Sequence, residues 1–167
     1  IFASLYDPSN ADQWVELRGR RLQCWGGTPP RRADASAAPP AFLPEPLPAW
    51  GSRLCDALVD ARVFSEEQKP NHILVNAYKC GQGILAHTDG PFYDSRTATL
   101  SLALPEGDGG SNQGALMKFA RRLKSPEIGV KQPKDVQEYA LRSNSLLVFE
   151  GAAYRDHTHA IDESTVD

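Results

Sequence analysis

NHILVNAYKCGQGILAHTDGPFYD, residues 71–94, joins two kinds of pattern. Its first part, HILVNAY (His72–Tyr78), is short, apolar and β-branched, which favours a strand. KCGQG follows as a turn, and ILAHTD reads as further extended chain. Within that extended piece His87 and Asp89 stand two positions apart. Residues at that spacing in a strand point to the same side. An imidazole nitrogen and a carboxylate oxygen are therefore offered to one point.

One more histidine would complete a two-His, one-carboxylate set, the donor arrangement of non-haem Fe(II) oxygenases. Three ligands on one side leave three positions open for a co-substrate and dioxygen. The candidates are His157 and His159 in GAAYRDHTHAI, which follow the run SLLVFEG and can return to a sheet interior. His72, at the head of its strand, reads as a packing or surface residue.

Outward from this stretch the texture stays β. TATLSLAL (Thr97–Leu104) alternates strictly, and GALMKFAR (Gly114–Arg121) and NSLLVFEG (Asn144–Gly151) read as two more strands. Gly- and Pro-containing turns such as PEGDGGSNQG separate them. Short strands with no helix between them predict an antiparallel sandwich or jelly roll. Upstream, Trp50, Leu54, Leu58 and Val59 recur at helical spacing, which predicts a helix from Pro48 to about Val63. The Pro- and Ala-rich segment from Thr28 to Pro48 predicts an irregular loop. The expected fold class is α+β, mainly β, with residues 1–70 a helical and loop extension and residues 71–167 the β core.

The chain of 167 residues is long enough for one domain with a real core. It is 41% hydrophobic and 23% charged, and its net charge of -3 argues against a uniformly cationic, nucleic-acid-coating surface. Local basic patches remain. Arg18, Arg20, Arg21, Arg31 and Arg32 occur without an intervening acid, near Trp14 and Trp25. Guanidinium groups can contact phosphates while aromatic faces stack on bases. Lys118, Arg121, Arg122 and Lys124 form a second cluster. No apolar run reaches the ~18 residues of a membrane span, so no membrane partner is expected. The odd, widely spaced cysteines Cys24, Cys55 and Cys80 fit free thiols in a reducing compartment.

LVNAYKCGQGILAHTDG resembles the metal-binding segment of AlkB-type Fe(II)/2-oxoglutarate-dependent dioxygenases. Their signature runs Asn-x-Tyr, a Gly-containing turn, then His-x-Asp, and Asn76, Tyr78, Gly81, His87 and Asp89 fit it without a gap. Asp89-Gly90-Pro91 with Tyr93 and TATLSL looks most like the sixth AlkB homologue subfamily. LRGRRLQCWGG (Leu17–Gly27) and SLLVFEGAAYRDHTHAI are similar to two further segments of that subfamily. The likeness spans nearly the whole chain.

The resemblance implies a double-stranded β-helix with an N-terminal lid. It assigns the iron to His87, Asp89 and His159, setting His157 aside, and the hydrogen bonding of 2-oxoglutarate to Asn76 and Tyr78. It implies Fe(II), 2-oxoglutarate and dioxygen as cofactor and co-substrates, and oxidative demethylation of alkylated DNA or RNA, contacted through Arg18, Arg20, Arg21 and Trp25. The family's arginine for the distal carboxylate of 2-oxoglutarate lies on a strand well after the last histidine, and no Arg follows His159 here. With the Ile1 start, this predicts a fragment ending before that strand, so that the jelly roll lacks its last strand or strands. A protein hydroxylase or demethylase on the same fold, and a non-catalytic nucleic-acid-binding module, are the alternatives. A nuclear or cytoplasmic location is the corresponding expectation.

Overall fold

The computed structural model describes residues 1–28, 43–90, 93–102, 115–122 and 135–163. The elements in chain order are α1 (Phe2–Leu5), a 3-10 turn (Pro8–Gln13), β1 (Val15–Leu17), β2 (Arg20–Trp25), β3 (Gly27–Thr28), β4 (Leu43–Pro44), α2 (Ala49–Asp60), β5 (Ile73–Ala77) and β6 (Ile84–His87). They continue with β7 (Arg96–Ser101), β8 (Ala115–Arg121), β9 (Val136–Leu141), β10 (Ser145–Glu150), α3 (Gly151–Arg155) and β11 (His157–Ile161). The fold is mostly β with few helices, as the alternating runs predict. No helix among the described residues is long and apolar enough to cross a membrane. The chain folds as two compact units, one of Ile1–Leu17 with Arg21–Ala77 and another of Arg18–Arg20 with Tyr78–Asp167.

The first unit carries more sheet than its sequence suggests. Residues 1–70 read as helix and loop, yet β1, β2 and β5 form a three-stranded sheet, with β2 antiparallel to β5. The reason is an inverted pattern in RRLQCW. Gln23, a polar residue, is fully buried there, and its amide donates to the Leu5 carbonyl at 3.1 Å. Its side-chain oxygen accepts from the Trp25 indole N–H at 3.1 Å. With its hydrogen bonds met, the amide can occupy a core position, and the hydrophobic alternation that marks a strand is lost. The pairing also places Ile73–Ala77, expected in the β core, in the first unit. The helix follows the expectation: α2 buries Trp50 and Cys55 and half-buries Leu54, Leu58 and Val59. It stops where Arg62 turns left-handed at φ 59. The Arg62 and Val63 amides then donate to the Val59 and Leu58 carbonyls, a Schellman closure. Residues 29–42, most of the predicted loop, lie outside the described residues.

In the second unit β6, β11, β8 and β9 form one antiparallel sheet, and β10 pairs with β7 in another. Inward side chains from both sheets make one core: Met117 and Phe119 from β8, Leu141 from β9, Phe149 from β10 and Ile161 from β11. The rings of Phe119 and Phe149 meet edge to face at 5.1 Å, a favoured aromatic geometry. The sheet of β6 and β11 depends on Gly83. A Cβ built on it would lie 2.2 Å from the Ile161 carbonyl oxygen and 3.0 Å from backbone atoms of residues 162 and 163. Those are backbone atoms and cannot turn aside. Gly83→Ala is therefore expected to push β6 from β11 and cost about 1–3 kcal/mol, the range of overpacking, read as a lowered urea midpoint.

Candidate metal centre

β6 and β11 run antiparallel with His159 directly opposite His87. That pairing brings together two imidazoles far apart in sequence, with ring centroids 4.3 Å apart. Asp89, just beyond the end of β6, completes the group. One ligand atom from each of His87, Asp89 and His159 lies within 4.8 Å of the other two. Among the described residues this His–Asp–His group could hold a metal ion. His157, the other candidate, has Nδ1 on the Ala152 carbonyl at 2.9 Å.

The surroundings prepare each ligand. His87 Nδ1 lies 2.8 Å from the Leu85 carbonyl oxygen. A carbonyl can only accept, so Nδ1 carries the proton and donates, which leaves the Nε2 lone pair for a cation. Thr97 Oγ1 donates to Asp89 Oδ2 at 3.2 Å, which leaves Asp89 Oδ1 facing His159 Nε2 at 3.6 Å. His159 is only 8% exposed, walled by Phe119 and Phe149, whose centroids lie 6.0 and 5.2 Å from its ring. Burial lowers the His159 pKa against the opposing pull of Asp89, with His87 lowering it further. The imidazole is therefore held neutral, the form that binds metals, and its approach to Asp89 is neither an ion pair nor a hydrogen bond. Two imidazoles and a carboxylate on a half-buried wall fit a divalent first-row metal.

Thr97 was legible only as one polar residue in an alternating strand. It pairs with buried Phe149 across β7 and β10, so its hydroxyl belongs to the inward face. A polar side chain on the core face of a strand is the signal that could have found it. Thr97→Val, nearly isosteric, removes the donor to Asp89. It is expected to weaken metal affinity by roughly 10–100-fold, the usual cost of losing a group that orients a ligand, measured by Co(II) titration.

No protein-family model matches the chain. It is 31% identical over 152 residues to "Probable RNA/DNA demethylase ALKBH6" of Danio rerio, an alignment covering 89% of this chain and 57% of that protein. The chain belongs to the AlkB family. It spans little more than half the length of this curated relative.

Other residues of the AlkB-type motif fall as follows. Asn76 is exposed on β5 in the first unit. Tyr78 opens the second unit and packs against its core. Burial raises the Tyr78 phenol pKa, with Arg20 pulling the other way, so the hydroxyl keeps its proton as a donor. The basic residues divide sharply. The Arg21 guanidinium lies over the rings of Trp14 at 4.7 Å and Tyr6 at 5.8 Å, with Glu16 4.0 Å away. Trp25 packs edge-on against Trp50 at 5.7 Å. Both are engaged inside the first unit. Lys118 is matched by Glu138 at 3.0 Å and Asp162 at 2.5 Å. Arg18, Arg121 and Arg122 are exposed, whereas Arg31, Arg32, Pro91 and Lys124 lie outside the described residues.

Proposed function

We propose that this AlkB-family protein is an Fe(II)- and 2-oxoglutarate-dependent dioxygenase that demethylates alkylated nucleic acid, built on a double-stranded β-helix. The observation that carries the reading is the convergence of His87, Asp89 and His159 across the β6–β11 pairing. Facing sheets with a shared aromatic core suit the β-helix. The Danio rerio relative, by name a probable RNA/DNA demethylase, supports the substrate class.

His87, Asp89 and His159 would hold the ferrous ion. With 2-oxoglutarate and dioxygen it supplies the oxidising equivalent that hydroxylates an N-methyl carbon, giving succinate and carbon dioxide, and formaldehyde once the hydroxymethyl group is lost. The chain's part is orientation. Leu85 fixes the His87 tautomer, Thr97 aims Asp89, and Phe119 and Phe149 keep water from His159. The motif assigns Asn76 and the protonated hydroxyl of Tyr78 to hydrogen bonding of 2-oxoglutarate. A base in a duplex must leave the stack to reach such a centre.

The test is formaldehyde and succinate release by the full-length protein with Fe(II) and 2-oxoglutarate, on methylated DNA, RNA and histone-like peptides. Release on a methylated oligonucleotide supports the reading. Turnover on peptides alone would move it to the protein-modifying alternative. Oligonucleotide binding without iron uptake would leave a binding module.

A further inference from the structure

The β8–β11 register is continuous and sets the chain's inward face as a ladder. Met117 pairs with Ile161, Phe119 with His159, and Arg121 with His157. Alternate residues share a face, so the ladder climbs from core, through the metal ligand, to Arg121. At about 3.4 Å per residue, Arg121 stands roughly 7 Å beyond the level of Phe119 and His159. It is exposed, as are Arg122 and Arg155. Arg122 and Arg155 are joined through backbone groups, and Arg121 adjoins Arg122 in the chain. The Arg122 amide donates to the Asp156 carbonyl at 2.8 Å, and its guanidinium reaches the Arg155 carbonyl at 3.5 Å. Arg155 ends α3, the short helix that also carries Tyr154. Tyr154 stacks on Phe149 with ring centroids 6.3 Å apart, and Phe149 lies 5.2 Å from the His159 ring. The rim of arginines therefore borders the metal centre.

No carboxylate offsets the charge of this rim among the described residues, whereas Lys118, on the same strand β8, holds two. Exposed guanidinium groups without counter-charges attract anions. Forked donors suit phosphate oxygens bidentately.

We propose that Arg121, Arg122 and Arg155 form a phosphate-binding rim that grips the backbone of a nucleic-acid strand beside the base offered to His87, Asp89 and His159. This rests on the nucleic-acid reading above and relocates its anchor. Of Arg18, Arg20, Arg21 and Trp25, the sequence's first choice, Arg21 and Trp25 are used in packing. Among the described residues Arg121 and Arg155 have no such partner, and the Arg122 guanidinium has only the Arg155 carbonyl.

The probe is a fluorescein-labelled, unmodified single-stranded oligonucleotide, bound to the full-length protein and followed by anisotropy over a series of KCl concentrations. Each phosphate contact adds about 0.7 to the slope of log affinity against log salt for a single strand. The double variant Arg121→Gln, Arg122→Gln is expected to flatten that slope by about 1.4. Arg121→Lys with Arg122→Lys, which keeps the charge, restores it, and Arg21→Gln leaves it unchanged. All positions except Arg21 are exposed, and matched thermal melts confirm that the rim variants fold. Wild-type binding with an unaltered slope in the Gln variant overturns the rim and leaves the demethylase reading standing. Absence of wild-type binding overturns both. Full displacement of the oligonucleotide by an equimolar acidic peptide assigns the rim to a peptide and overturns the proposal.

Discussion

His159→Ala is expected to end metal uptake, and with it the proposed turnover, whereas His157→Ala is expected to leave metal uptake intact. The two histidines are two positions apart on one strand, and sequence alone cannot separate them. Register does. His159 faces His87 across β6–β11, and His157 faces Arg121 across β8–β11. Losing one of three ligands costs more than losing a group that merely orients one, so the drop in Co(II) affinity exceeds roughly 100-fold. Because His159 is buried, its alanine variant also opens a cavity and loosens the core. His87→Ala and Asp89→Asn, at half-buried positions, separate the two effects. Both should abolish the metal-induced rise in melting temperature while keeping most of the apo stability. Undiminished metal affinity in either variant, or its loss in His157→Ala, would remove the basis for the site.

How much of this was legible depended on what each residue answers to. Strands with a short alternating or apolar run, such as β7, β8 and β10, declared themselves because such patterning is local. So did α2, through Trp50 and the residues one and two turns on. The His-x-Asp pair was visible because two ligands lay on one strand. The third was not fixed by the chain's own pattern, since pairing between β6 and β11 joins residues some seventy positions apart. The resemblance chose His159, and the register brings it to His87.

Two misses have the same cause. In β2 a buried amide replaces an apolar side chain, because its partners are Leu5 and Trp25 rather than neighbours in a pattern. In β9 nearly every residue is exposed, with only Leu141 buried, so VQEYAL carries little period-two signal. The basic cluster at Arg18–Arg32 is only partly legible for a related reason. Charge counts show where guanidinium groups occur, not whether an aromatic ring or a carboxylate has already taken them, as Trp14, Tyr6 and Glu16 take Arg21.

Phe119→Ala carries the largest stability cost, and it reaches the metal centre through packing alone. Phe119 is 5% exposed. Its ring meets Phe149 at 5.1 Å, Tyr139 at 5.7 Å and His159 at 6.0 Å. Deleting a buried aromatic removes its transfer free energy and leaves a cavity, together about 3–5 kcal/mol. A small domain holds only about 5–15 kcal/mol in all, so the alanine variant sits near the edge of folding at 37 °C. Phe119→Leu keeps most of the volume and should cost under about 1.5 kcal/mol. That milder variant isolates the functional link. With the fold retained, the His159 imidazole loses the flat wall that limits its rotation, and metal affinity should fall even though no ligand has changed. Urea unfolding of both variants, set beside Co(II) titration of Phe119→Leu, tests the argument. A loss below about 1 kcal/mol in Phe119→Ala would mean that the two sheets do not share a core at this ring. Full metal affinity in Phe119→Leu would mean that His159 is held by β11 alone.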